Sequence, residues 1–242
     1  MSFIFQDITK PSTQFLRAQR WFAELVPEVQ ERIAEQVFTL QGAKGDVMLR
    51  SGEEVKGLYA VLSGLVKLQS QSSQGRRQGY LGIPGGEWFG EGSVLRKGPW
   101  RYDVIALRDT ELLCLPRPIF DELRDTSLKF NHALADQLNM RLSQAMAIIE
   151  TFRLRTPEQR VAMYLGPVLW HGPRKLSLSQ EELGILAGLS RQTVNQTLKL
   201  LEQQGLVALE FGRVSILDER GLIELAHQDS GTGNPDASAN AD

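Results

Sequence analysis

The chain has 242 residues, 42% of them hydrophobic, which is enough for one or two domains with buried cores, and we expect two. No apolar run approaches the ~20 residues that span a bilayer and no signal peptide is evident, so the sequence indicates a cytoplasmic protein without a membrane partner. The net charge of −2 leaves nucleic-acid binding open, because such binding depends on local charge, and the single cysteine, Cys114, excludes an internal disulfide and a cysteine-ligated iron–sulfur cluster.

The first half of the chain predicts helices followed by strands. Helical spacing runs from 15 to 38, with Pro27 suited to the first turn of a helix. Between 40 and 116, short β-type runs alternate with glycines, which is typical of an antiparallel roll or barrel. Residues 58–68 predict two strands around a tight turn, and residues 71–77 predict a polar hairpin tip.

A long helix is predicted after Pro118, where apolar residues return at helical spacing. Six of them, at steps of three and four, form a heptad seam: Ala135, Leu138, Leu142, Ala145, Ile149 and Phe152. The polar residues of this helix are expected elsewhere on its surface, namely Asp136, Gln137, Arg141, Gln144 and Glu150. The seam packs either on its own domain or against the same helix of a second subunit, and we favour the second arrangement, a homodimer interface.

A second domain is predicted to begin at Thr156, which can cap a helix that has Pro157 at its first position and Glu158 in its first turn. Residues 228–242 are small, polar and acidic, and they predict a disordered tail. The predicted fold class is α+β. Its domains are a β-roll with N-terminal helices at 1–128, a dimerisation helix at 129–155, a C-terminal domain at 156–227 and the tail.

Two helices joined by a glycine turn are predicted within the C-terminal domain. Ser179 and Glu182 form a capping box that begins the first helix, Gly188 permits a sharp turn, and Ser190 caps a second helix that ends near Gln203. The second helix buries an apolar face made of Val194, Leu198 and Leu201. It presents a polar face made of Arg191, Gln192, Thr193, Asn195, Gln196 and Lys199.

This polar face predicts DNA binding. Arginine and glutamine form bidentate hydrogen bonds with guanine and adenine, while serine, threonine and lysine can hold phosphates. Residues 204–217 predict two strands around a turn at Phe211 and Gly212, which is a wing with Arg213 at its tip. The predicted DNA-binding residues are Ser179, Gln180, Ser190, Arg191, Gln192, Thr193, Asn195, Gln196, Lys199 and Arg213. The alternative is a solvated polar helix beside an ordinary hairpin.

Residues 15–226 resemble the catabolite activator/FNR (CRP/FNR) superfamily of transcription regulators. The likeness is strongest at 184–206, with Gly-Leu-Ser-Arg-Gln-Thr-Val at 188–194 and Leu-Leu-Glu-Gln-Gln-Gly-Leu at 200–206. It implies a homodimer on a palindromic DNA operator and allows RNA polymerase as a partner. The DNA-reading role of the family falls on Ser190, Arg191, Gln192, Thr193 and Gln196. Many relatives have glutamate at Gln192 and arginine at Gln196, so a different operator sequence is expected.

The predicted roll resembles the cyclic nucleotide-binding domain of the same family through Gly45, Gly52, Gly64 and residues 86–91. Gly90 and Glu91 match its phosphate-binding turn and its ribose-binding glutamate. The resemblance implies an effector site at Gly90, Glu91, Gly92, Ser93, Arg101, Tyr102, Ala145 and Met146.

Cyclic AMP is nevertheless disfavoured as the effector. The phosphate-binding arginine of the family falls on Trp100 or Arg101, and the neighbouring Asp103 carboxylate would repel a phosphate. Ala145 and Met146 stand where relatives have a polar pair that reads the purine. Another nucleotide or small effector, or a vestigial pocket, remains open, and no cofactor is required.

The alternatives to DNA binding are a ligand sensor that binds proteins and an enzyme. A ligand-sensing module that acts through protein partners, with a structural C-terminal domain, is the alternative function. Catalysis is not expected, because His132, His171 and His227 are scattered without metal-ligand spacing and no nucleophile or phosphate-loop motif is present.

Overall fold

The computed structural model describes residues 10–71, 77–154, 156–167, 169, 178–210 and 213–227. Three predicted features lie outside these residues: the hairpin tip at 72–76, the wing turn at Phe211 and Gly212, and the tail at 228–242. The chain forms two compact units, of which the first runs to Ser143 and the second begins at Gln144. This division falls inside the segment predicted as a separate dimerisation helix.

Three short helices precede the first strand: α1 (Lys10–Arg17), α2 (Arg20–Ala23) and α3 (Pro27–Gln36). Pro27 lies in the first turn of α3, as predicted. The prediction of helix as far as residue 38 is wrong, because Phe38 pairs with Cys114 in an antiparallel ladder instead.

The predicted roll is confirmed as two four-stranded antiparallel sheets, in the orders β1-β8-β3-β6 and β2-β7-β4-β5. Their strands are β1 (Phe38–Gly42), β2 (Val47–Leu49), β3 (Gly57–Ser63), β4 (Leu65–Gln71), β5 (Arg77–Pro84), β6 (Trp88–Phe89), β7 (Asp103–Ala106) and β8 (Thr110–Pro116), with helix α4 (Glu91–Leu95) after β6. The fully buried side chains of the first sheet include Tyr59, Phe89 and Leu113. Cys114 is buried in β8 as well.

The two strands predicted within 58–68 are present as β3 and β4, but they belong to different sheets and do not pair with each other. Gly64 joins them with a φ of +98°. A Cβ atom at this position would lie 2.6 Å from the carbonyl oxygen of Asp109. Glycine is therefore needed at the corner where the chain passes from one sheet to the other.

Helices α5 (Arg117–Thr126) and α6 (Leu128–Leu154) follow the roll. The predicted apolar seam of α6 faces solvent: Leu138 is 39% exposed, Leu142 61% and Ile149 51%. Ala135 and Ala145 are exposed too, while the side chain of Phe152 lies outside the described residues.

A second face of α6 follows the same heptad spacing but is covered by the chain itself. It contains Phe130, Leu134, Gln137, Arg141 and Gln144, of which the two apolar residues and Gln144 are buried and the other two are half-buried. The expectation that Gln137, Arg141 and Gln144 lie on the helix surface is therefore wrong. Each of them forms hydrogen bonds to buried acceptors, which offsets the cost of removing a polar group from water.

The second unit confirms the predicted winged helix-turn-helix. After α6 it contains α7 (Pro157–Leu165), α8 (Gln180–Ala187), α9 (Arg191–Gln203), β9 (Val207–Glu210), β10 (Arg213–Ile216) and α10 (Glu219–His227). Helix α7 contacts α8, α9 and α10, and β9 pairs with β10 in an antiparallel hairpin. The predicted cap of α7 is present as a capping box between Thr156 and Gln159. Val194, Leu198 and Leu201 are fully buried in the core of this unit, as predicted.

Candidate nucleic-acid interface

The first helix of the predicted pair, α8, begins with the predicted capping box. The Ser179 hydroxyl accepts a hydrogen bond from the Glu182 amide at 3.2 Å, and the Glu182 carboxylate accepts one from the Ser179 amide at 2.8 Å. The helix ends at Ala187, and the φ of +67° at the following Gly188 suits glycine and reverses the chain. Ser179 and Gln180 are half-buried here, and their DNA-binding roles stay predictions.

Helix α9 begins at a second side-chain cap. The Ser190 hydroxyl accepts a hydrogen bond from the Thr193 amide at 3.1 Å and lies 2.8 Å from the Thr193 hydroxyl. The cap satisfies one of the orphan amides of the first turn, where the helix dipole favours an anion. Thr193 and Asn195, both predicted to be exposed, are half-buried.

The structure brings four predicted DNA-binding side chains to one exposed face of α9. Gln192, Gln196 and Lys199 follow one another at steps of four and three, and Arg191 lies beside them at the first helical position. The one acidic residue of this helix, Glu202, is in its last turn and accepts a hydrogen bond from the Leu209 amide of β9 at 3.0 Å. Before the last turn of α9, the exposed face therefore has two cations and two carboxamides and lacks a carboxylate.

The predicted wing is present as the β9–β10 hairpin, in which Val207 pairs with Ile216 and Glu210 with Arg213. Arg213 begins β10, but its side chain lies outside the described residues, so its contact with DNA stays a prediction. Sequence reasoning missed the bond from Glu202 that ties this hairpin to α9. The signal was weak, because a single glutamate near a helix end is usually solvated.

Gly90, one of the predicted effector residues of the first unit, lies against an aromatic cluster. Gly90 has a φ of +90°, and a Cβ atom there would lie 2.7 Å from the ring of Trp100. The Trp100 ring is buried against Tyr59 and Phe89, with ring centroids 5.6 and 6.3 Å apart. Arg101, in contrast, is exposed.

Glu91 is buried and faces a cation from α6. Its Oε1 lies 3.6 Å from Nε of Arg141, whose Nη1 also lies 3.0 Å from the Glu87 carboxylate. The same guanidinium donates to the Trp88 carbonyl at 2.6 Å. Burial raises the pKa of Glu91 above its ordinary value of 4.5, and the charge of Arg141 offsets part of that increase.

The remaining predicted effector residues do not share one environment. Ser93 is buried, Tyr102 is half-buried and Gly92 is exposed. Ala145 and Met146 are exposed on the part of α6 that belongs to the second unit. Sequence reasoning missed the pairing of Arg141 with Glu87 and Glu91. Its position on the buried heptad face of α6 could have indicated that this arginine is covered by the chain.

The described residues contain neither a candidate membrane-spanning helix nor a candidate metal cluster. None of their helices combines the length and apolar character needed to cross a bilayer. Among them, no group of three histidine, cysteine, aspartate or glutamate side chains could hold a metal ion.

Each of the two units matches a known protein domain family. Residues 40–127 match the cyclic nucleotide-binding domain family, and residues 159–225 match the Crp-like helix-turn-helix domain family. A solved structure of FixK2 from Bradyrhizobium japonicum is similar in fold, with a TM-score of 0.67 and 22% identity, over 80% of this chain and 99% of that one.

Two relatives cover most of the chain. The "Cyclic AMP receptor protein" of Thermus thermophilus is 33% identical over 184 residues, which is 76% of this chain and 85% of the relative. The "Transcriptional activator protein FnrL" of Cereibacter sphaeroides is 27% identical over 233 residues, with 84% and 88% covered. Since both domain matches and these relatives agree, the chain belongs to the CRP/FNR family of transcription regulators.

Proposed function

We propose that the protein binds a palindromic DNA operator as a homodimer and reads each half-site with the exposed face of α9. The observation that carries this proposal is the capped first turn of α9, where Arg191 and Gln192 are exposed beside Gln196 and Lys199. A helix of this kind fits the major groove, where arginine and glutamine have matching base edges. Because DNA is the target, we place the protein in the cytoplasm, with RNA polymerase as a further partner.

The exposed seam of α6 supports a dimer. Large apolar side chains at successive heptad positions are typical of two-stranded coiled coils and are unusual on the surface of a monomer. Leu128, 67% exposed and one heptad before Ala135, extends the seam towards the start of the helix. Paired α6 helices would present two α9 helices to half-sites about 34 Å apart.

The residues of the roll favour an effector other than cyclic AMP, or no effector at all. The residues that the resemblance assigns to the phosphate are a buried indole at Trp100 and an exposed guanidinium at Arg101. The nearby Asp103 carboxylate accepts a hydrogen bond from the Ser51 amide at 2.9 Å and adds negative charge. These residues do not fit a cyclic nucleotide phosphate, although Glu91 stands where the family holds the ribose.

Binding of the purified protein to genomic DNA fragments tests the proposal. We expect selective binding that weakens steeply with salt, because phosphate contacts release counterions. Arg191→Ala is expected to remove the selectivity, whereas Arg50→Ala, which removes an equal charge from an exposed site on the roll, is expected to leave it unchanged. Full selectivity in Arg191→Ala would favour a sensing module that acts through protein partners.

A further inference from the structure

Gln144 is a fully buried polar residue in the middle of α6. Its side-chain amide donates a hydrogen bond to the carbonyl oxygen of Leu169 at 2.7 Å, and Leu169 is itself 1% exposed. Both residues belong to the second unit. Burying a carboxamide costs free energy unless its hydrogen bonds are formed. The bond to Leu169 offsets that cost and depends on the position of Gln144.

The bond to Leu169 attaches α6 to the DNA-binding part of the second unit. Leu169 lies four residues beyond the end of α7, the helix that contacts α8, α9 and α10. The chain itself provides another attachment, where α6 ends at Leu154 and α7 begins at Pro157. One attachment leaves rotation about the connection free, whereas two attachments fix an orientation.

The apolar seam lies on another face of α6 at the same helical turns as Gln144. Ala145 and Ile149 are exposed, while Gln144 and Ala147 are buried. In the second unit, one face of α6 is therefore held by the winged helix-turn-helix and another is open to a second subunit. The orientation of α9 relative to this seam decides where the two α9 helices of a dimer would lie.

We propose that Gln144 is a positioning residue that sets the half-site spacing of the operator by fixing α9 relative to the C-terminal half of α6. The inference rests on the proposed function, because it requires paired α6 helices and DNA binding by α9. A dimer with fixed α9 helices accepts one spacing, since each added base pair moves a half-site by about 3.4 Å and rotates it by roughly 34°. A dimer whose α9 helices can turn tolerates several spacings.

Gln137 provides a matched control. It lies seven residues before Gln144 on the same face of α6, and its side-chain amide donates to the carbonyl oxygen of Trp88, also at 2.7 Å. Trp88 belongs to the first unit, so this bond holds no part of the winged helix-turn-helix. Gln137→Met and Gln144→Met thus remove the same kind of bond from the two units.

The test measures Kd for the selected operator, for versions with one or two base pairs inserted or removed at the centre, and for an isolated half-site. The wild-type protein and Gln137→Met are expected to bind the native spacing at least about tenfold more tightly than the altered ones, a difference of about 1.4 kcal/mol. In Gln144→Met this ratio is expected to fall to within about threefold, with half-site Kd unchanged.

Gln144→Asn, which keeps the carboxamide but shortens its reach, is the milder second variant and is expected to lose the spacing preference in the same way. Unchanged half-site Kd shows that a variant is folded. A wild-type spacing preference in both Gln144 variants would overturn the inference while leaving the proposed function intact. A wild-type protein without preference for any palindrome would overturn both.

Discussion

The Arg141 guanidinium lies 3.6 Å from the buried Glu91 carboxylate and 3.0 Å from that of Glu87, so one cation on α6 serves two acids of the roll. Removing it leaves buried negative charge uncompensated, which costs several kcal/mol. We therefore expect Arg141→Met to destabilise the first unit by about 3 kcal/mol in urea unfolding. Arg50→Met, at an exposed position, is the control, and a change under about 0.5 kcal/mol in Arg141→Met would contradict the ion-pair role.

The raised pKa of Glu91 predicts a pH dependence of stability. Burial makes the folded protein bind the Glu91 proton more tightly than the unfolded chain does, so the contribution of this group falls as pH rises from its ordinary pKa of 4.5 through the higher folded pKa. Compared with Glu91→Gln, the wild-type melting temperature is expected to decrease over that range and then level off. A wild-type melting temperature that stays constant or rises relative to that of Glu91→Gln as pH increases would contradict this assignment.

Local signals were sufficient for much of the fold. The caps at Thr156, Ser179 and Ser190 each depend on a partner three residues away, and all three are present as the sequence predicts. The apolar spacing of α6 and α9 likewise identified the exposed seam and the buried face of the second helix. Such features need only neighbours along the chain, so a single sequence carries them.

Contacts between distant segments could not be predicted in the same way. Arg141 meets Glu87 across 54 residues, and Gln144 meets Leu169 across 25. Their place on α6 repeats the heptad of Phe130 and Leu134, but a search for apolar periodicity passes over polar residues. The sequence placed Glu91 by resemblance, yet its burial beside a cation depends on packing that spacing alone does not determine.

Ser190 separates the stability of α9 from its contact with DNA. Ser190→Ala removes the cap on the Thr193 amide and is expected to lower the free energy of unfolding by about 1 kcal/mol. Ser190→Asp restores a capping oxygen but adds negative charge at the face proposed to meet phosphates. It is expected to keep wild-type stability and bind operator DNA more weakly than Ser190→Ala, as measured by thermal melting and fluorescence anisotropy. Wild-type affinity in Ser190→Asp would place this end of α9 away from DNA.

The seam of α6 predicts how the subunits associate. Leu142→Glu places a charge at the centre of the exposed apolar face, and in a pair of helices the two glutamates would oppose each other. We expect a monomer by sedimentation at micromolar concentration, with the far-UV circular dichroism of the wild type. Val26→Glu alters a similarly exposed apolar side chain outside α6 and is expected to remain dimeric. A dimeric Leu142→Glu would show that the subunits meet elsewhere.

Gln196 predicts which base the operator carries at one position of each half-site. Its exposed carboxamide lies one turn after Gln192 and matches the N6 and N7 edge of adenine, whereas arginine matches guanine. Selection from random DNA is expected to show that Gln196→Arg changes the preferred base from adenine to guanine at one symmetric pair of positions, by about 1 to 3 kcal/mol per contact. In the same selection Lys199→Ala, seven residues after Gln192, is expected to weaken binding to all sequences alike and to lower the salt slope by about 1, because lysine meets phosphate. An unaltered base preference in Gln196→Arg would mean that this part of α9 does not reach the base edges.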